Sequence, residues 1–149
     1  MSKQLTLGKN ERLKSRKQIE KLFAEGKSFA VGFFRVYYLT HEMFNTQRSI
    51  PIAIGINIQF GVGVSAKNFK RAVDRNRIKR LTREAWRLQK NDPLFIGLKE
   101  SLRASNKQLN VFFIYTGKEL PGFVKVKQKV IVALKKLSGK VNENDPANS

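Results

Sequence analysis

The chain has 149 residues, 30 of them Lys or Arg against 11 Asp or Glu, for a formal charge of +19. It has no Cys and one His, which excludes a disulfide scaffold, a Cys-ligated zinc site, a cysteine nucleophile and a paired-His zinc motif. A hydrophobic content of 41% is enough for one core, and no apolar run approaches the ~20 residues that span a bilayer. The polar N-terminus lacks the apolar region of a signal peptide, so a cytoplasmic protein is expected. A domain this basic repels itself unless a polyanion neutralises it, and the usual candidates are nucleic acid or an anionic membrane surface.

Residues 1–14 are polar and basic and read as a flexible arm. Ser15-Arg16-Lys17-Gln18 then forms a capping box. Ile19, Leu22 and Phe23 follow at helical spacing and Gly26 is a stop signal, which predicts a helix over 15–25. The aromatic and β-branched residues 33–40 predict a strand. Phe34, Val36 and Tyr38 fall on one side of it, with Phe33, Arg35, Tyr37 and Leu39 on the other. The Ile alternation from Ile50 to Ile58 predicts a strand over 51–58, and a further one is expected over 61–66. Gly61 and Gly63 share a face there, the mark of a turn, a bulge or a close approach.

A helix is predicted over 71–89, with Ile78, Leu81, Ala85 and Leu88 as its apolar stripe and Asn91-Asp92-Pro93 as its end. Residues 94–108 stay open between a short helix and a turn-containing loop. Asn110–Tyr115 is a dense apolar strand. The last helix, over 124–138, places Val126, Val130, Ala133, Leu134 and Leu137 on one side. The order is α-β-β-β-α-β-α. It predicts a single α+β sandwich over 15–140, helices on a small mixed sheet of about four strands, with a polar disordered tail over 141–149.

Residues 67–90 hold ten Lys or Arg and two acids, Asp74 and Glu84. At 100° per residue, Arg75, Lys79, Arg83, Asn76, Arg87 and Arg80 fall within an arc of about 140°, opposite the apolar stripe. A helix needing only solubility would alternate Glu with Lys at i,i+4, whereas this one stacks like charges at that spacing. Guanidinium groups match phosphate oxygens bidentately and stack on bases. A lipid surface would need an apolar face aimed outward, and this helix spends its stripe on the core. Trp86 falls on the cationic side of the wheel, where it serves base stacking, lipid contact or simple packing against a loop. Aromatics interleave the strands at Phe33, Phe34, Tyr37, Tyr38, Phe112, Phe113 and Tyr115. On an open sheet face such rings stack unpaired bases. Tyr37 is the best candidate, since it shares a face with Arg35.

The run from Val62 to Arg87, centred on Arg75-Asn76-Arg77-Ile78-Lys79-Arg80 and followed by Arg83 and Glu84, closely resembles the signature of the bacterial ribonuclease P protein family. Arg12-Leu13-Lys14 through Leu22-Phe23 and Gly26 is similar to that family's first helix. The resemblance implies the small subunit of a ribonucleoprotein endonuclease that removes the 5′ leader from precursor tRNA. It implies that the RNA subunit does the chemistry and, with the substrate, holds the catalytic Mg²⁺. It also implies a left-handed β-α-β crossover, against the usual rule.

Carried over residue by residue, Lys67, Arg75, Asn76, Arg77, Lys79, Arg80 and Arg83 match RNA-contacting positions, and Arg71 and Arg87 extend that set along the helix. Ile19, Phe23 and Tyr37 correspond to the leader cleft between first helix and sheet, joined by Arg35 and Lys118. Many members carry two adjacent basic residues after the last strand, whereas here Tyr115-Thr116-Gly117 precedes Lys118. No catalytic residue and no protein-held metal are expected: the acids are scattered and His41 stands alone. The alternative is a general structured-RNA-binding or ribosome-associated basic protein. An autonomous nuclease is argued against by the missing carboxylate cluster.

Overall fold

A computed structural model of the chain describes residues 11–42 and 58–143. In order, its elements are α1 (Arg16–Glu25), β1 (Lys27–Val31), β2 (Phe34–Glu42), β3 (Ile58–Val64), α2 (Ala72–Arg87), α3 (Pro93–Ala104), β4 (Lys107–Tyr115) and α4 (Phe123–Glu143). The described elements fit the expected α-β-β-β-α-β-α order, with one further helix, α3, between α2 and β4, although β1 is not one of the three strands expected before α2. The strand expected over 51–58 lies outside the described residues except for Ile58, and so do residues 1–10 of the arm and 144–149 of the tail.

The sheet runs β1-β2-β4-β3. β4 pairs antiparallel with β2 and parallel with β3, so α2 and α3 form the crossover of a β-α-β unit between adjacent strands. Strand alternation sorts the side chains. Val36, Tyr38, Phe60, Val111 and Phe113 are buried on one face, with Ile78 of α2, Leu98 of α3 and Val130 and Leu134 of α4 in the same core. The opposite face carries Arg35, Tyr37, Gly61, Gly63 and Phe112, and α1 lies against it through Phe23.

Local chemistry fixes most ends. The Ser15 hydroxyl accepts from the Gln18 amide at 3.4 Å, and the Gly26 amide donates to the Leu22 carbonyl at 2.8 Å. Residues 94–108 resolve as α3 and a turn. The Asp92 carboxylate accepts from the Leu94 amide at 2.9 Å with Pro93 in the first turn, so the segment that ends α2 also starts α3. Asn106 then takes a positive φ of 55° before β4 begins, a conformation Asn tolerates well. β1 is an addition to the expected strands, because Lys27-Ser28-Phe29-Ala30-Val31 is polar at its start and pairs only on one side, with β2. The last helix runs past 138 to Glu143, beyond the expected domain limit at 140.

Two expectations about α2 need correction. Its buried residues are Ile78, Thr82, Ala85 and Trp86, so the core-facing side is rotated by roughly 60° from the expected stripe toward the cationic side. Thr82 tolerates this because its hydroxyl donates to the Ile78 carbonyl at 2.8 Å. Of the readings open for Trp86, packing holds, but inside the core and not against a loop on the cationic side. Trp86 is 1% exposed and stacked on Phe60, with centroids 4.5 Å apart at 12°, and it meets Phe95 and Phe113 edge-on. Among the described residues, no helix is long and apolar enough to cross a membrane.

Candidate nucleic-acid interface

The site begins with residues 11–14, assigned above to a flexible arm. Here they run beside β3. Arg12 pairs with Phe60 in parallel fashion, the Leu13 amide donates to the Phe60 carbonyl at 2.8 Å, and Leu13 is buried. The Glu11 carboxylate meets the Lys90 ammonium at 2.9 Å in a largely buried pair, which ties the segment to the end of α2. A wall therefore stands along the β3 edge, and α1 continues from it across the sheet.

Between that wall, the open sheet face and α2 lies a groove of about 330 Å³. Ile19, Gly61, Val62 and Phe112 give it an apolar lining, and Arg12, Lys14, Lys79 and Arg83 give it four cations. Gly61 and Gly63 serve close approach. A Cβ at Gly61 would lie 2.8 Å from the Phe112 ring and 3.1 Å from the Leu13 carbonyl, and one at Gly63 would lie 3.0 Å from the same ring. The Phe112 ring thus rests on two bare backbone positions of β3. Phe23, 42% exposed, stands edge-on to both Phe112 and Tyr37, at 5.4 Å and 4.9 Å.

The electrostatics match this shape. Among the described residues none of the four groove cations forms an ion pair. Burial pushes the Arg83 guanidinium below its ordinary pKa, and the neighbouring charges of Arg12 and Arg80 push the same way. A cluster of cations crowded against apolar surface is unfavourable alone and is relieved by an anion.

The structure divides the residues expected to touch RNA. Lys79 and Arg83 line the groove, while Asn76, Arg77 and Arg80 are exposed on α2. Arg77 and Lys79 flank buried Ile78 on opposite sides, each about 100° away, so the cations wrap most of the helix surface. Lys67 is exposed in the loop before α2, and Arg71 is the N-cap residue of that helix. Two arginines are engaged within the protein. Arg75 donates to the carbonyls of Phe69 and Lys70 at 2.7 and 2.8 Å. Arg87 is hydrogen-bonded and ion-paired to Glu84, and that bond raises its pKa.

Of the residues expected in the cleft, Ile19 lines the groove, while Phe23 and Tyr37 pair edge-on beside it and Phe23 also meets Phe112. Arg35 lies on the same face but donates to the Ser28 hydroxyl at 3.1 Å on β1. Lys118 is elsewhere, lining a second depression of about 650 Å³ with Phe33, Tyr115, Leu120 and Phe123. Sequence reasoning does not assign Arg12, Lys14 or Phe112 to the site. For Phe112 the signal is the alternation of Asn110–Tyr115, but only pairing with β3 shows which ring meets the glycines. Among the described residues, no group of three or more His, Asp or Glu could hold a metal ion.

Comparison with known proteins bears directly on this geometry. The family model described as Ribonuclease P matches residues 7–138. The ribonuclease P protein component of Porphyromonas gingivalis is 35% identical over 135 residues, which is 91% of this chain and 88% of that one. The component of Chlorobaculum tepidum is 38% identical over 85 residues, 57% of this chain and 51% of its own. Among solved structures, the RNase P protein of Thermotoga maritima matches with a TM-score of 0.59 and 25% identity, over 85% of this chain and 96% of that one. The Staphylococcus aureus RNase P protein matches in fold with a TM-score of 0.58 and 21% identity, over 85% and 94%.

Proposed function

The chain belongs to the ribonuclease P protein family, and from that premise we propose how its two basic surfaces serve the removal of the 5′ leader from precursor tRNA. It is the protein component of a ribonucleoprotein endonuclease. The cations of α2, led by Arg77, Lys79, Arg80 and Arg83, seat on phosphates of the catalytic RNA and release its counterions. The groove takes the unpaired leader. Phe23, Tyr37 and Phe112 offer ring faces and edges to bases, and Arg12, Lys14, Lys79 and Arg83 hold the backbone, largely without reading base identity. Lys79 and Arg83 belong to both surfaces and so set the leader beside the RNA subunit.

The observation that carries this reading is the convergence of four cations and the Phe112 ring in one groove beside the Phe23–Tyr37 pair. The described residues do not fit a protein-held Mg²⁺: no acid or His cluster is present among them, and the groove is cationic. In this reading the RNA subunit and substrate hold the Mg²⁺ of the reaction. By neutralising phosphates between two polyanions, the protein lowers the Mg²⁺ concentration the complex needs. The work takes place in the cytoplasm, on precursor tRNA, with no membrane partner.

The test is cleavage of 5′-labelled precursor tRNA at low Mg²⁺ with neither subunit, with protein, with RNA subunit, and with both. Cleavage at the mature 5′ end only with both is expected. Equal cleavage with and without protein would leave a general structured-RNA-binding protein in its place, and cleavage by protein alone would make it a nuclease in its own right.

A further inference from the structure

α4 carries a third cationic surface, which the proposed function does not use. Lys125, Lys129, Lys136 and Lys140 fall within about 60° of one another on the helical wheel. No acid occurs on α4 before Glu143. The hairpin of β1 and β2 supports this row from below. Lys136 and Lys140 lie over the Phe29 ring at 5.9 and 5.7 Å. The methylenes of Lys129 cover Gly32, whose φ is +56°, and a Cβ there would lie 2.6 Å from the Lys129 Cε. Lys125 stands beside Phe33 at the rim of the larger depression. The row thus follows β1, one edge of the sheet, while the groove lies along β3, the other edge.

We infer that the lysine row of α4 is a third RNA-binding surface, seated on the phosphates that flank a duplex minor groove. The inference rests on the reading that the chain works bound to RNA. Three observations favour a duplex over other occupants. With a rise of 1.5 Å per residue, the row is two pairs of lysines, each pair spaced about 6 Å, separated by a gap of about 10 Å. A pair, a gap and a pair suit two backbones either side of a wide, shallow groove better than one evenly spaced strand. Past the Lys125 end, where Phe33 and Phe123 line the larger depression, the row offers no open ring. Phe29 sits beneath two lysines, and Phe33 packs on Phe34 and Tyr115, whereas sites for unpaired strands add stacking faces. A lipid surface would need apolar contact area, and α4 commits Val126, Val130, Leu134 and Leu137 to the core, leaving Val132, at 40% exposure, beside the row and Val124, at 68%, about 100° away from it.

The experiment compares the full chain with a variant in which the four lysines are changed to Gln and with one in which they are changed to Arg. The probes are an RNA duplex of about 16 base pairs, the size a duplex-reading domain spans, an unpaired RNA of equal charge, and phosphatidylserine vesicles, each titrated from low to moderate salt. The Gln variant is expected to bind the duplex at least tenfold more weakly, with its salt slope reduced by about 3, close to one for each phosphate no longer neutralised. The Arg variant keeps the wild-type slope. Preference for precursor over mature tRNA is expected to be unchanged in both. An unchanged duplex slope in a folded Gln variant overturns the inference. So does an equal loss on the unpaired strand, or a loss confined to vesicles. If Gln at Arg80 and Arg83 also leaves RNA-subunit binding unchanged, the proposed function fails with it; if that binding weakens, only the α4 surface is refuted.

Discussion

The Phe112 ring stands edge-on to the Phe23 ring, centroids 5.4 Å apart at 88°, and joins α1 to the centre of the sheet across the floor of the groove. Base–aromatic stacking contributes about 1–3 kcal/mol per base. Phe112→Ala is therefore expected to lower precursor affinity by that amount and leave mature tRNA affinity unchanged. Equilibrium titration of both RNAs against the assembled enzyme checks this. An equal loss on both would assign the ring to folding alone.

Arg75 and Arg80 separate structure from binding within one basic motif. Arg75 closes the loop before α2 through two carbonyls, so Arg75→Ala loses charge-assisted bonds worth about 1–2 kcal/mol at a half-exposed site. Its thermal midpoint should fall by several degrees. Arg80 is exposed, and Arg80→Ala should leave the midpoint within a degree or so while reducing the salt slope of RNA-subunit binding by about 0.7–0.9. Thermal melts and salt titrations of the two variants, run side by side, check the division.

The only tryptophan of the chain is inside the core. Truncating a buried aromatic costs about 3–5 kcal/mol, so Trp86→Ala should abolish a cooperative melt or lower it sharply. Trp86→Phe, which retains a ring against Phe60, should cost less. The Trp86 emission of the intact protein is expected to be blue-shifted and to move red with unfolding.

Tyr115 gives the fold a pH dependence on the alkaline side. Burial raises its pKa above the ordinary tyrosine value, and the Glu119 charge adds to the shift. Its hydroxyl donates to the Glu119 carbonyl at 2.5 Å. A pKa higher in the folded than in the unfolded chain leaves stability intact below the unfolded value, near 10, and removes it as pH rises from there through the folded value. Tyr115→Phe removes this contribution, so its stability should fall less steeply above pH 10 than that of the parent chain. Urea midpoints between pH 8 and 11 would show it, and parallel curves would refute it.

What the sequence revealed was local. Ser15 caps α1 through an amide three residues away, and the alternation of β2 sets Tyr37 opposite Val36. Both are decided within a few residues, and both hold. What it hid depends on partners far along the chain. Arg75 is of the same type as Arg77 and Arg80, and only the path of residues 69–70 shows that it closes a loop. Trp86 sits among arginines in sequence, and Phe60 draws it inward. Asp92 and Pro93 end one helix and begin another, which periodicity on one side alone does not reveal. Phe112 is one aromatic of seven until the β3–β4 register sets it on Gly61 and Gly63. Lys118, grouped with the cleft by its place after the last strand, lies in a different depression.

The central claim is that the groove grips the leader. Its most direct test is the ratio of precursor to mature tRNA affinity, measured with RNA subunit alone, with the wild-type protein added, and with a Phe23→Ala/Phe112→Ala variant. The wild-type protein is expected to raise the ratio. The double variant should return it to the RNA-alone value while still binding the RNA subunit. A ratio unchanged by the wild-type protein would contradict the claim.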